Sequence, residues 1–285
     1  MYAPNKNGCP VWEIPRQMYL CRQINLKTLS LMMIYISCAK TMASRSKLAV
    51  PFTTQPAFQA EAEQIALSMS QFPAEELGKL LHINAKLAAE NYFRYHNFFS
   101  EDNHGLPALH AYTGIVFKRI NAKDFTEDDL TYAQDHLRIS SFLYGLVRPL
   151  DLIRNYRLEG SVKLPEKGGI TLFDYWKPIM TDYFIQEIKK QGGLLVNLAS
   201  AEMKDLLDWK RVCSEVKVVT PEFQVYKNGK PATVVIYAKM CRGEMTRFLL
   251  KNRITDTEAL KAFEWEGFAF NEKESDEHRL VFTLF

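Results

Sequence analysis

The sequence lacks the short motifs that mark the common enzyme classes. It contains no G-x-S-x-G, no Walker A loop, no G-x-G-x-x-G and no H-E-x-x-H. Its six histidines are scattered, and the one pair considered for a metal, His104 and His110, has no acid or thiol that we place at ligand spacing, so loop or core histidines are the alternative. The sequence therefore predicts no metal site and no bound cofactor, and it contains no signature of a standard hydrolase, kinase or dehydrogenase.

Long apolar segments are also missing. The run Leu26–Ile36 includes a lysine and hydroxyl residues and is too short to cross a bilayer, so no membrane association is expected. Residues 1–32 contain prolines and show no clear period. We interpret them as a disordered or mis-annotated N-terminal extension, with Met32 or Met33 as the natural start. Residues 33–285 are then a single domain.

Cysteine is sparse, and the charges nearly balance. The five cysteines are odd in number, irregularly spaced and without a C-x-x-C pair, which favours free thiols in a reducing cytoplasm. The 36 basic and 33 acidic side chains leave a net charge of only +3. This excludes a globally basic, histone-like protein, so any anion binding must come from a local cluster.

What is present is enough to build a large core. Of the 285 residues, 47% are hydrophobic and 12% aromatic. Strand-like runs at Met33–Ser37, Leu194–Leu198 and Val216–Thr220 lie between segments of helical periodicity. Asn228-Gly229 predicts a hairpin turn whose second strand is Thr233–Tyr237. The predicted fold is mixed α/β (α+β), a single domain with a central mixed sheet, surrounding helices and a helix-hairpin-helix-like element.

The helix-hairpin-helix-like element is predicted around Gly145. Thr126 and Asp129 resemble a capping box and predict a long helix that continues to Phe142. A second helix is predicted over Leu150–Tyr156. Such a pair presents backbone N–H groups and nearby bases to DNA phosphates without reading sequence. The alternative is a plain αα-turn. The candidate nucleic-acid-binding residues of this element are Tyr144, Gly145, Arg148, Arg154 and Arg157.

A basic cluster occupies residues 237–253, where five bases oppose one acid. A strand is predicted to end and a helix to begin near Gly243, and the free N–H groups of a helix start suit an anion such as phosphate. The alternative is the solvated basic face of an amphipathic helix. The candidate nucleic-acid-binding residues here are Lys239 and Arg242, with Arg247 and Lys251 four residues apart on one helical face.

A polar loop, Ser37–Thr41, follows the first predicted strand. A hydroxyl, a thiol and an ammonium group at the carboxyl edge of a sheet are plausible site residues. Ser37, Cys38 and Lys40 are therefore weak catalytic candidates, and Lys40 is also a candidate for nucleic-acid binding. Thiolate character of Cys38 beside Lys40 is one hypothesis, and an ordinary loop is the alternative.

Taken together, these segments resemble the YaaA peroxide-stress family of bacterial cytoplasmic proteins over residues 33–285. Cys38 departs from the family pattern, since many relatives have proline there. The matching segments are ISCAKTM (36–42), FTEDDL (125–130), LYGLVRPLDLIRNYRLE (143–159), LFDYW (172–176), LVNLAS (195–200), YAKMCRGEMTRF (237–248) and GFAF (267–270).

The resemblance implies a cytoplasmic stress factor that limits free intracellular iron during exposure to hydrogen peroxide and thereby protects DNA. It also implies DNA binding through a helix-hairpin-helix beside a basic cleft, and it attaches no firm enzymatic reaction. The residues that match basic positions of the family's motifs are Lys40, Lys239, Arg242 and Arg247.

Three functional hypotheses follow. The leading one is a non-enzymatic or weakly enzymatic stress protein that binds DNA non-sequence-specifically by shape and phosphate charge. The second is an enzyme acting on a phosphate-bearing small molecule or nucleic acid at the Ser37–Thr41 loop, with Lys239 and Arg242. The third is a direct iron binder, although no compact cluster of iron ligands is visible. No obligate protein partner is evident.

Overall fold

A central strand pairs on both sides with strands that come much later in the chain. The computed structural model describes residues 32–284. The strands are β1 (Met32–Ile36), β2 (Leu106–Pro107), β3 (Leu137–Ser141), β4 (Gly145–Val147), β5 (Leu152–Ile153), β6 (Lys163–Leu164), β7 (Ile170–Thr171), β8 (Leu194–Asn197), β9 (Lys217–Lys227), β10 (Lys230–Ala232), β11 (Ala269–Phe270) and β12 (Arg279–Leu284).

Helices of very different length surround these strands. The two longest are the last long helix before the C-terminal strands and the helix that precedes β8. The helices are α1 (Gln59–Ser70), α2 (Ala74–Leu80), α3 (Ala85–His96), α4 (Ala108–Ala111), α5 (Ile115–Ile120), α6 (Glu127–His136), α7 (Leu172–Lys190), α8 (Trp209–Glu215), α9 (Val235–Lys251) and α10 (Thr257–Leu260).

The main sheet is mixed, as the sequence predicts. Its order is β11-β12-β9-β8-β1-β3-β4, with β10 paired to β9. The five central strands β12, β9, β8, β1 and β3 run parallel, whereas β4, β10 and β11 are antiparallel to their neighbours. This arrangement confirms the mixed α/β, α+β class and the single domain.

Strand β1 is the point where the chain changes direction across the sheet. Ile34 pairs with Leu137 of β3 on one side and with Val196 of β8 on the other. The chain therefore passes from β1 to one side of the sheet and returns to the opposite side after α7. Loops that leave parallel strands at such a point diverge and open a crevice at the carboxyl edge.

Local sequence signals explain several elements directly. All five residues of β1 are apolar or aromatic and buried, as expected for a strand covered on both faces. At the start of α6, the Thr126 hydroxyl accepts from the Asp129 amide at 3.2 Å, and the Asp129 carboxylate accepts from the Thr126 amide at 3.0 Å. The predicted capping box is thus confirmed.

The prediction of a helix-hairpin-helix is wrong. Helix α6 stops at His136, and the next residues form β3 because they pair with buried β1. The segment around Gly145 is a β-hairpin in which Ser141 pairs with Gly145. The predicted helix Leu150–Tyr156 is also absent, since Leu152–Ile153 forms a short strand there.

The basic segment also differs from its prediction. The turn at Asn228-Gly229 is confirmed, with φ values of 53° and 74° that suit this hairpin. Its second strand is only Lys230–Ala232, and α9 begins at Val235. Gly243 therefore lies inside a helix, so the predicted anion site at a helix start near Gly243 is wrong.

The proposed N-terminal extension falls almost wholly outside the described residues. Met32, which we had assigned to that extension, is the first residue of β1 and is buried. Within residues 32–284, no helix combines the length and apolar character that a membrane span requires.

Gly145 provides a test of the hairpin that replaces the expected helix pair. Its φ is +67°, and an added Cβ would lie 2.8 Å from the Trp176 ring. We expect Gly145→Ala to lower the free energy of unfolding by about 2–4 kcal/mol, because left-handed backbone strain and overpacking add. The measurement is urea-induced unfolding.

The matched control is Gly193→Ala. Gly193 has φ +80°, but an added Cβ there meets nothing within 4 Å. Only the backbone strain of about 1–2 kcal/mol is expected. Equal losses of unfolding free energy in the two variants would show that overpacking against Trp176 does not destabilise the protein.

Candidate functional site

A cavity of about 300 Å³ lies at the carboxyl edge of the sheet, beside the ends of β1 and β8. Exposed side chains form its mouth and buried apolar side chains form its floor. The loop predicted as a site, Ser37–Thr41, shares one cavity with Lys239 and Arg242, two of the four cations of α9 that the sequence singled out. The lining residues are Ser37, Cys38, Ala39, Lys40, Thr41, Gly114, Ile115, Val116, Phe117, Phe142, Leu198, Ser200, Glu202, Met203, Lys239 and Arg242.

Two close backbone approaches build this cavity. An added Cβ on Gly243 would lie 2.4 Å from the Val116 carbonyl oxygen, so α5 packs directly on α9 at that point. An added Cβ on Gly114 would lie 2.8 Å from Ala39 Cβ. The first turn of α5 is therefore wedged between the loop after β1 and the helix that carries Arg242.

Arg242 is the cation of the cavity whose surroundings are unusual. It is half-buried, and its Nε is fully enclosed without a hydrogen-bond partner. Burial lowers the pKa of the guanidinium, although nearby Glu222 opposes this effect. Among residues 32–284, no carboxylate lies within ion-pair distance of Arg242. A desolvated cation of this kind gains when an anion enters the cavity.

Two lysines flank the mouth of the cavity. Lys239 lies three residues before Arg242 on α9, is exposed and makes no ion pair within the described part of the chain. Lys40 is bound to Glu159 at 2.8 Å, with 58% of its side chain exposed. Lys239 is thus free to meet an anion, whereas Lys40 must share its charge with Glu159.

The candidate nucleophiles are held in unreactive states. The Ser37 hydroxyl donates to Ser200 Oγ at 3.2 Å and accepts from the Ser200 amide at 2.8 Å. Burial, reinforced by Glu202, raises the pKa of the Cys38 thiol to about 12. This raised pKa favours the protonated thiol and argues against the hypothesis of a thiolate at Cys38.

The residues of the supposed helix-hairpin-helix lie apart from the cavity lining. Tyr144 is buried, and its hydroxyl accepts from the Arg154 amide at 2.9 Å. Gly145 is buried against Trp176. These two residues therefore support the hairpin from inside and do not present a surface to a partner.

The three arginines of that segment each contact another part of the protein, although the buried Nε of Arg157 has no hydrogen-bond partner. Arg148 binds the buried carboxylate of Asp151 at 3.1 Å. The Arg154 Nε donates to the Asn103 carbonyl at 2.8 Å, and its guanidinium lies over the Phe98 ring. Arg157 lies 3.5 Å from Glu159. These contacts tie the arginines to the protein itself.

Arg247 and Lys251 share a helical face, as predicted, but that face binds other parts of the chain. Arg247 donates twice to Asp124, at 2.8 and 2.6 Å. Lys251 lies 2.7 Å from Asp129, which Arg253 also contacts at 2.8 Å. This basic face is therefore neutralised by acids around α6 and fastens α9 to that helix.

Comparison with known proteins identifies the family of this chain. Residues 32–274 match the family described as peroxide stress protein YaaA. The chain belongs to the YaaA peroxide-stress family. A protein of Phocaeicola vulgatus called UPF0246 is 64% identical over 253 residues, covering 89% of this chain and 99% of that protein. This confirms the resemblance seen in the sequence, and family membership supports a role in peroxide stress.

More distant members of the YaaA family also match along their whole length. A UPF0246 protein of Porphyromonas gingivalis is 45% identical over 255 residues, or 89% of this chain and 100% of that protein. One from Saccharophagus degradans is 37% identical over 256 residues, or 88% of this chain and 99% of that protein.

Sequence reasoning missed the acidic wall of the cavity in this YaaA-family chain. Ser200 and Glu202 follow β8, whose carboxyl end lies next to that of β1. The rule that places sites at adjacent strand ends, applied to the predicted strand Leu194–Leu198, is the signal that would have found them. Within residues 32–284, no group of three His, Cys, Asp or Glu residues is arranged to hold a metal ion.

The raised pKa of Cys38 predicts slow alkylation. In native protein at pH 7.5, iodoacetamide should modify Cys38 at least about tenfold more slowly than exposed Cys213, because the thiolate is the reacting form. Peptide mass spectrometry over time gives both rates. The difference should disappear in denaturant, and equal native rates would contradict the raised pKa of the Cys38 thiol.

Asp129 predicts acid sensitivity of the α6–α9 contact. Burial alone would raise the pKa of its carboxyl, but hydrogen bonds from Lys251, Thr126 and Arg253 hold that pKa well below its usual range. Its contribution to stability is complete above the unfolded pKa of about 4. It is lost as the pH falls through the lower folded pKa.

We expect Asp129→Asn to cost about 2–3 kcal/mol of unfolding free energy at pH 7, since it removes charged hydrogen bonds. The variant should also lose less additional stability than the original protein between neutral pH and acid. Thermal unfolding across pH checks both. Exposed Asp102→Asn is the control, and an unchanged acid profile in Asp129→Asn would contradict the assignment.

Proposed function

We propose that this peroxide-stress protein acts in the cytoplasm by binding a phosphate group in the cavity at the carboxyl edge of its sheet. The observation that carries the proposal is Arg242, whose enclosed Nε has no hydrogen-bond partner and which lines the cavity. A phosphate supplies several strong acceptor oxygens to a guanidinium. Lys239 stands at the mouth and adds a second unpaired cation.

The position of the cavity also supports phosphate binding. It opens where the loops after β1 and β8 diverge, which is the usual place for ligands in open parallel sheets. Other basic side chains that the sequence indicated are held by Asp124, Asp129 and Asp151. An incoming phosphate at those places must displace an existing partner, and at Arg242 it does not.

Two kinds of ligand carry a phosphate group that Arg242 and Lys239 would bind. One is the backbone of DNA, which the family resemblance implies and which the exposed Lys40 and Lys239 at the mouth favour. The other is a small phosphate-bearing molecule, which the limited volume of about 300 Å³ favours. In either case, we propose the limitation of free iron and the protection of DNA as consequences of this binding.

Catalysis is not part of the proposal. Burial raises the pKa of the Cys38 thiol, and the Ser37 hydroxyl donates a hydrogen bond to Ser200. Among the described residues that line the cavity, no histidine stands ready as a general base. The arrangement supports recognition of an anion more directly than transfer of one.

The test compares Arg242→Gln with the original full chain. Inorganic phosphate is titrated by calorimetry, and labelled duplex, bubble and single-stranded DNA by fluorescence anisotropy. Because the variant lacks a charged hydrogen-bond donor, its affinity for the probe that binds should be about 10- to 100-fold lower. For DNA, the log–log salt slope should also become shallower by about one phosphate contact.

Lys86→Gln is the matched control, because Lys86 is an exposed lysine of α3 that does not line the cavity. Its affinity for each probe should equal that of the original protein. DNA binding that depends on Arg242 would identify the backbone as the source, and binding of phosphate alone would identify a small molecule. Binding that ignores Arg242, or no binding of either probe, would refute the proposal.

A further inference from the structure

The lining of the cavity includes unpaired charges of both signs. Lys239 and Arg242 come from α9, whereas Glu202 comes from the short 3-10 segment Ala201–Leu206 after β8. Glu202 is exposed and makes no ion pair within the described part of the chain. Glu202 forms no salt bridge with Lys239 or Arg242, so one occupant of the cavity can contact both a cation and a carboxylate.

Apolar side chains form another part of the cavity lining. The buried floor includes Phe117, Phe142, Leu198 and Met203, and half-buried Ile115 stands beside it. A bare phosphate would satisfy Arg242 but leave this floor facing water. Ligand pockets are typically lined in this way, with an apolar body and a few polar groups that fix orientation. The occupant therefore carries a hydrophobic or flat aromatic part.

We infer that the occupant is a nucleoside monophosphate, an inference that rests on the phosphate-binding function proposed above. Its phosphate would meet Arg242 and Lys239, its ribose hydroxyls would donate to Glu202, and its base would lie against the apolar floor. A carboxylate at a strand end is suited to ribose hydroxyls, because it offers only acceptor oxygens. The volume of about 300 Å³ is at the small end of the range for ligand pockets.

Calorimetry on the full chain tests the three parts separately. The probes are AMP, 2′,3′-dideoxy-AMP, ribose 5-phosphate and inorganic phosphate. AMP should bind at least about tenfold more tightly than ribose 5-phosphate, since only AMP covers the apolar floor. Removal of both ribose hydroxyls should weaken binding by about tenfold or more, because hydrogen bonds to a charged acceptor are lost.

Glu202→Ala gives the decisive comparison. In this variant AMP and 2′,3′-dideoxy-AMP should bind equally, whereas the tenfold difference should persist in Glu76→Ala. Glu76 is an exposed carboxylate of α2 that does not line the cavity. Both variants alter exposed side chains, so folding is not expected to change, and thermal unfolding verifies this.

The outcomes separate the two proposals. If ribose 5-phosphate or DNA binds through Arg242 but AMP binds no more tightly than ribose 5-phosphate, the nucleotide inference is overturned and the proposed function stands. If the dideoxy analogue binds like AMP to the original protein, Glu202 does not read the ribose and the inference is overturned. If neither the binding of DNA nor the binding of any phosphate probe depends on Arg242, both proposals are refuted.

Discussion

The parallel pairing of β1 with β3 on one side and β8 on the other is the constraint on which the rest of the molecule depends. β1 is buried along its whole length, so its register with both neighbours is fixed by side-chain burial. That register brings the loop after β1 beside the residues that follow β8, although 163 positions separate Ser37 from Ser200. The cavity exists because these two strand ends meet and their chains then diverge.

The second constraint is the close contact of α5 with α9, and it determines which cation is left without a partner. Gly243 removes the side chain that would hold the helices apart, and α5 fills the space beside Arg242 with Val116 and its neighbours. Arg242 thereby loses water without gaining a carboxylate. Further along α9, Arg247 meets Asp124 and is neutralised. One helix therefore carries a half that is fastened to the protein by ion pairs and a half to which we assign the proposed anion binding.

The sequence predicts the elements whose signals are local. The capping box at Thr126, the turn at Asn228-Gly229 and the apolar run that becomes β1 all form as expected. Residues after His136 were misjudged because pairing with β1 decides their structure, and β1 lies about a hundred positions earlier. The position of Ser37–Thr41 directly after a predicted strand is enough to make this loop a site candidate. Glu202 becomes a candidate only once β8 is known to lie next to β1.

Counting basic residues is a poor guide to anion binding in a chain whose charges nearly balance. Arg148, Arg247 and Lys251 resemble a binding surface in the sequence, yet each already lies against a carboxylate. An anion gains little from a cation that must first release such a partner, and exposed pairs are further screened by salt. The phosphate binding that we propose therefore requires a cation that is both desolvated and unpaired. Among residues 32–284, Arg242 meets both conditions inside a cavity. The carboxyl edge of the sheet is therefore the place where we expect an anion to bind.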